Sequence, residues 1–168
     1  MLANATGNET KSYELWWSIY AWWSCVLVLK MMLLTWCTGQ IRVREQVIHS
    51  EEDRMWMKKK SSIILCPTGD GHPDVSRIRS AHRKDLETVL PFIIFTPLWL
   101  NVETCNSTVK ILISGFALIS ILYTLVHMQL LQVSALWKHY LSMILYCILI
   151  YICTIIAVRY TITIPKLI

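Results

Sequence analysis

Between Arg79 and Phe92 the chain carries six ionisable side chains, Arg79, His82, Arg83, Lys84, Asp85 and Glu87, directly against the apolar run VLPFIIFTPLWL. On a helix, Arg79, Arg83 and Glu87 fall at i, i+4 and i+8 and form one stripe, while His82 and Asp85 pair at i, i+3 on a neighbouring face. Two arginines with a carboxylate one turn further on suit a ligand that bears two carboxylates and an ammonium. Guanidinium grips a carboxylate through two parallel hydrogen bonds, and Glu87 can accept the ammonium. The alternative is an interfacial helix whose Lys and Arg snorkel to lipid headgroups. Snorkelling accommodates Arg79 and Lys84 but gives no reason for Asp85 and Glu87 to lie deeper, so the spacing favours a polar site. Lys30, alone in a long apolar stretch, needs a counter-charge, and Asp85 or Glu87 is the expected one. Arg42 and Arg44 follow, either as further ligands or as ordinary basic flanks of a membrane helix.

The elements that must position these groups are apolar. Of 168 residues 55% are hydrophobic and only 16% charged, with a mean hydropathy of +0.47, more apolar surface than a soluble chain of this length can hide. A bilayer core of about 30 Å needs about 20 apolar residues as helix. Residues 15–37, 111–131 and 139–158 meet that requirement. The run 86–100 holds 15 residues with two prolines, about 22 Å of helix, and spans only if it borrows turns from the charged block, giving a fourth span over 80–100. The expected fold is therefore an all-α membrane protein, a four-transmembrane-helix bundle forming one domain over 1–168, with a cytosolic loop over 38–79. The last two spans form a helical hairpin. Asp74 is the expected N-cap of a helix starting at Val75.

Ten of the sixteen Lys and Arg lie between Thr38 and Lys84, which by the positive-inside bias puts that loop in the cytosol. The three Asn-X-Ser/Thr sequons, at Asn4, Asn8 and Asn106, then all fall on the lumenal side. Basicity confined to one segment also argues against a nucleic-acid partner. Of the six cysteines, Cys25, Cys37, Cys147 and Cys153 sit in apolar runs and read as small buried hydrophobes. Cys66, in the polar loop, reads as an exposed thiol. The cysteine spacing and the histidines at 127 and 139 have no metal-ligand rhythm, so no metal site is expected. GDG, with no Lys-Ser/Thr after it, reads as a turn.

The stretch DVSRIRSAHRKDLETVLPF resembles the signature of the MAPEG membrane proteins, in which a sequence like Arg-Ala-His-x-Asn-Asp-Leu-Glu-Asn precedes xxPF; LVLKMMLLTWCTGQIRVRE followed by EED is similar to that family's first helix. The likeness runs over roughly residues 26–100. It implies a homotrimer of four-helix protomers in the endoplasmic-reticulum membrane, with the mitochondrial outer membrane as a second location. It further implies that glutathione, a co-substrate, binds between neighbouring subunits on the cytosolic side, and that the enzyme transfers it to a lipophilic electrophile or lipid substrate, with isomerase or peroxidase activity as variants of the same chemistry. On the matching positions the glutathione-binding residues are Arg42, His82, Arg83 and Glu87, with Lys30, Asp53 and Asp85 as further matches and Tyr123 as the catalytic group near the sulfur.

The chain also departs from the pattern. Ser80 stands where the family usually has Arg before Ala-His, and Lys84 replaces its usual Asn. Phe116 to Ser120 replace Arg-x-x-His-Thr, and no arginine occurs between Arg83 and Arg159, so the helix-four arginine credited with holding the thiolate is replaced by Gln132 or Val133, with Lys138 the cation nearest in sequence. A thiol of reference pKa about 8.5 is mostly protonated at neutral pH without such a cation. Two rivals to the transferase reading follow: a catalytically impaired relative that binds glutathione or lipid, and a non-enzymatic four-span membrane subunit.

Overall fold

The computed structural model describes residues 2–45, 47–48, 64–65, 73–102, 105–129 and 134–163. Four helices make up nearly all of this: α1 (Leu2–Glu45), α2 (Pro73–Leu100), α3 (Asn106–His127) and α4 (Ala135–Thr163). Three segments, Tyr13–Arg44, Asn106–His127 and Leu136–Ile162, are long and apolar enough to cross a membrane. The fourth helix, α2, begins in the charged block and is amphipathic. It packs against the other three, and α1 and α4 flank the α2/α3 pair from opposite sides. The protein is an all-α membrane four-helix bundle.

The helices reach beyond the apolar windows. α1 continues to Glu45 rather than stopping near Cys37, because no proline occurs in TGQIRVRE to end it. α2 starts at Pro73, not Val75, with proline in the first turn, where its missing N–H costs nothing; Asp74 therefore sits inside the helix instead of capping it. Its carboxylate takes a 3.0 Å contact from Arg77. α3 ends four residues earlier than the expected 131, at His127, where Met128 and Gln129 turn and Gln129 adopts a φ of 58°. Two two-residue strands, Val47–Ile48 and Ile64–Leu65, pair in parallel, a small clasp in the 38–79 segment that its polar composition did not announce.

Each helix contributes one stripe to the core. On α3 the buried positions Val109, Ile113, Phe116, Ala117, Ser120 and Tyr123 recur at three- and four-residue steps, as do Leu141, Leu145, Leu149 and Ile152 on α4. Phe92 of α2 stacks on Phe116 of α3 with ring centroids 3.8 Å apart. The cysteines are a correction to the sequence reading. Cys25, Cys147 and Cys153 are exposed on the chain and Cys37 is partly so, because in a membrane helix an apolar run faces lipid as readily as it faces a core. Cys66 lies outside the described residues.

Aromatic side chains of α1 tie one end of the bundle. Tyr13 donates to Asn101 Oδ1 at 2.9 Å, Trp16 Nε1 to Asn106 Oδ1 at 2.9 Å and Trp23 Nε1 to Ser114 Oγ at 3.0 Å. Pro97 inside α2 has no N–H for the carbonyl of Ile93, four residues earlier. Tyr20 supplies the missing donor, its hydroxyl meeting the Ile93 oxygen at 2.9 Å.

Candidate functional site

The charged block of α2 is divided among several faces of the helix. Asp85 points inward, 1% exposed, and Lys30 of α1 reaches it at 2.8 Å. The same ammonium donates to the Ser120 hydroxyl at 2.7 Å and to the Ser120 carbonyl at 3.2 Å. One lysine thus ties α1, α2 and α3 together. The counter-charge expected for Lys30 is Asp85, not Glu87, and its three hydrogen bonds satisfy a lysine ammonium fully. His82 also faces α1, its Nε2 3.0 Å from the Thr35 hydroxyl. Both residues bind α2 to α1.

On the side towards α4, Lys84 Nζ lies 2.6 Å from the Tyr146 hydroxyl and 3.9 Å above its ring. The Tyr146 hydroxyl donates to Glu87 Oε2 at 3.2 Å, and Lys84 stands 3.8 Å from the same carboxylate. Lysine, phenol and carboxylate form a chain that orients Glu87. Arg83 and Glu87 themselves are exposed, on the outward face of α2 with Ser80, Leu90 and Ile94. They are therefore not in the interior of the protomer. A period of 3.6 residues lets only Asp85 of the block face the core while its neighbours are turned 100° or more away.

Arg42 and His82 lie elsewhere again. With Thr35, Thr38, Gly39 and Arg79 they line a cleft of about 340 Å³ between α1 and α2. Tyr123 is buried inside the bundle, its ring stacked on His127 with centroids 5.7 Å apart, in the electrostatic field of Asp85, Tyr146 and Glu87. Within one chain the structure therefore brings together Arg83 with Glu87, and Arg42 with His82, but not the two pairs. Asp53, Gln132 and Val133 fall outside the described residues. Tyr146, Ser120 and Thr35 were not marked by sequence reasoning. Nothing but the register between helices distinguishes them from other hydroxyl residues on apolar helices.

The sequence profile of the MAPEG family matches residues 20–158, which includes parts of all four helices. The chain belongs to the MAPEG family. Proteins named prostaglandin E synthase from Rattus norvegicus, Bos taurus and Homo sapiens are 37%, 36% and 36% identical to it over 70 residues. That stretch is 42% of this chain and 42% of each relative, so the similarity spans less than half the length of these proteins. The geometry also gives one departure from the MAPEG pattern a physical meaning. An arginine at 80 would stand on the outward face beside Arg83; here 80 is serine and the arginine at 79 is turned about 100° towards α1, into the cleft.

Proposed function

We propose that this MAPEG protein is a membrane enzyme that uses glutathione as co-substrate and transfers it to a lipophilic electrophile. The observation that carries the reading is the outward pair Arg83 and Glu87, one helical turn apart, with Glu87 oriented by Tyr146. Arg83 takes a glutathione carboxylate through its paired N–H groups, and Glu87 takes the γ-glutamyl ammonium. Arg42 and His82 lie around the side of α2 from this pair, so the proposal rests on Arg83 and Glu87. In a homotrimer the outward α2 face of each copy is closed by the next, which removes water and strengthens both contacts. Tyr123 is the proposed donor towards the sulfur. The location that goes with this function is the endoplasmic-reticulum membrane, with both ligands entering from the cytosolic end.

The test is glutathione binding and conjugation by the purified, detergent-solubilised protein. A hydrogen bond to a charged group is worth about 1.5–3 kcal/mol, so Arg83→Ala weakens glutathione binding about ten- to a hundredfold at about 1.4 kcal/mol per decade. Affinity indifferent to that substitution removes the site. A second reading has its own observation: no arginine stands between Arg83 and Arg159. A protein that binds glutathione but turns it over slowly would show tight binding with a conjugation rate that climbs as pH approaches the free thiol's value of about 8.5. A rate already flat at neutral pH would show that another group activates the thiol.

A further inference from the structure

The cleft between α1 and α2 has a chemistry of its own. Three of its six lining residues, Arg42, Arg79 and His82, are basic or can become so, two are the hydroxyl residues Thr35 and Thr38, and the last is Gly39; none is acidic. The Arg42 Nε–H is buried and meets no acceptor among the described residues. A buried donor on a permanent cation is costly to leave unmade, and an anion in the cleft would satisfy it.

The place of the cleft narrows the choice of anion. Arg42 lies close to the end of the apolar span Tyr13–Arg44, the depth at which lipid headgroups sit. One turn deeper, Met32 of α1 and Leu86 of α2 are exposed apolar residues, followed by Leu29 and Leu90. A molecule whose anionic head fills the cleft therefore has an apolar surface waiting for its tail. Basic pockets between membrane helices are known to hold acidic headgroups, with each Lys or Arg near the surface worth about 1 kcal/mol. We propose that this cleft binds the phosphate headgroup of an anionic membrane lipid, with its acyl chains along Met32 and Leu86. The site is separate from the outward face that carries Arg83 and Glu87, and the inference does not depend on the glutathione reading.

The experiment counts lipids retained by the purified full-length protein in native mass spectrometry, with phosphatidic acid as the probe, phosphatidylcholine of the same chain length as the zwitterionic control and inorganic phosphate as the tail-less one. Phosphatidic acid should be retained at least about fivefold better than phosphatidylcholine, and inorganic phosphate at equal concentration should not displace it. Arg79→Gln should lower retention about fivefold. Arg77→Gln, which removes an equal charge from the same end of α2, should leave it unchanged, as should added glutathione. Gly39→Leu provides a variant that keeps every charge: a Cβ at Gly39 meets open space within 4 Å, so the larger side chain fills the cleft and displaces the lipid while favouring the helix. Equal retention of the two lipids, or Arg79→Gln and Gly39→Leu both without effect, overturns the proposal. A loss on Arg77→Gln as large as on Arg79→Gln reduces it to diffuse attraction. Displacement by inorganic phosphate makes the cleft a soluble-anion site, and displacement by glutathione makes it part of the glutathione site; either result also overturns it.

Discussion

Removing either member of the Lys30–Asp85 pair leaves the other charge inside the bundle with no counter-ion. The two side chains are 10% and 2% exposed, so the loss is close to that of a buried pair, about 3–5 kcal/mol. Lys30→Met and Asp85→Asn should each lower the stability of the solubilised protein by roughly that amount in chemical denaturation. The double variant Lys30→Met/Asp85→Leu should recover most of it, because apolar groups of similar volume make no demand for solvation. If the single variants cost nothing, Lys30 does not bind the helices together. This pairing was legible in the sequence because a lone lysine in an apolar run leaves few candidate carboxylates. The contribution of Ser120 and the Lys84–Tyr146–Glu87 chain was not, since each depends on how far one helix is slid and turned against another.

At the scale of the element, α2 is the helix whose sequence and structure were hardest to reconcile. Its apolar run is too short to span, and the borrowed turns do come from the charged block, as the run length required. Its prolines threatened the helix, yet it continues to Leu100, because Tyr20 replaces the N–H that Pro97 lacks. A carbonyl stripped of its donor in an apolar setting costs about 1–3 kcal/mol. Tyr20→Phe should therefore destabilise the protein by that amount, read from thermal unfolding in detergent. In a Pro97→Ala background the same substitution should be nearly neutral, since alanine returns a backbone N–H to Ile93. Equal costs in both backgrounds would assign the effect of Tyr20 to packing alone. The phenol–carbonyl bond could not be read from the sequence, which marks the proline but not the side chain that compensates it.

On the scale of the whole molecule, antiparallel packing gathers the basic groups at one end. Arg42 and Arg44 close α1, Arg77, Arg79, Arg83 and Lys84 open α2, and Lys138 and His139 open α4. The opposite end carries Asn101 and the Asn106 sequon, both held by aromatic residues of α1. Chain direction, charge and sequons thus agree on one orientation, in which the 38–79 segment faces the cytosol, where a basic flank is favoured by its membrane-facing charge bias. In intact microsomes, protease should cut near the Lys58–Lys60 run without detergent, while an engineered sequon in that segment should stay unglycosylated and one added before Tyr13 should be modified. Protection of the segment, or its glycosylation, would turn the molecule over. It would also put the mouth of the α1–α2 cleft and the Arg83–Glu87 face in the lumen, away from a cytosolic supply of glutathione.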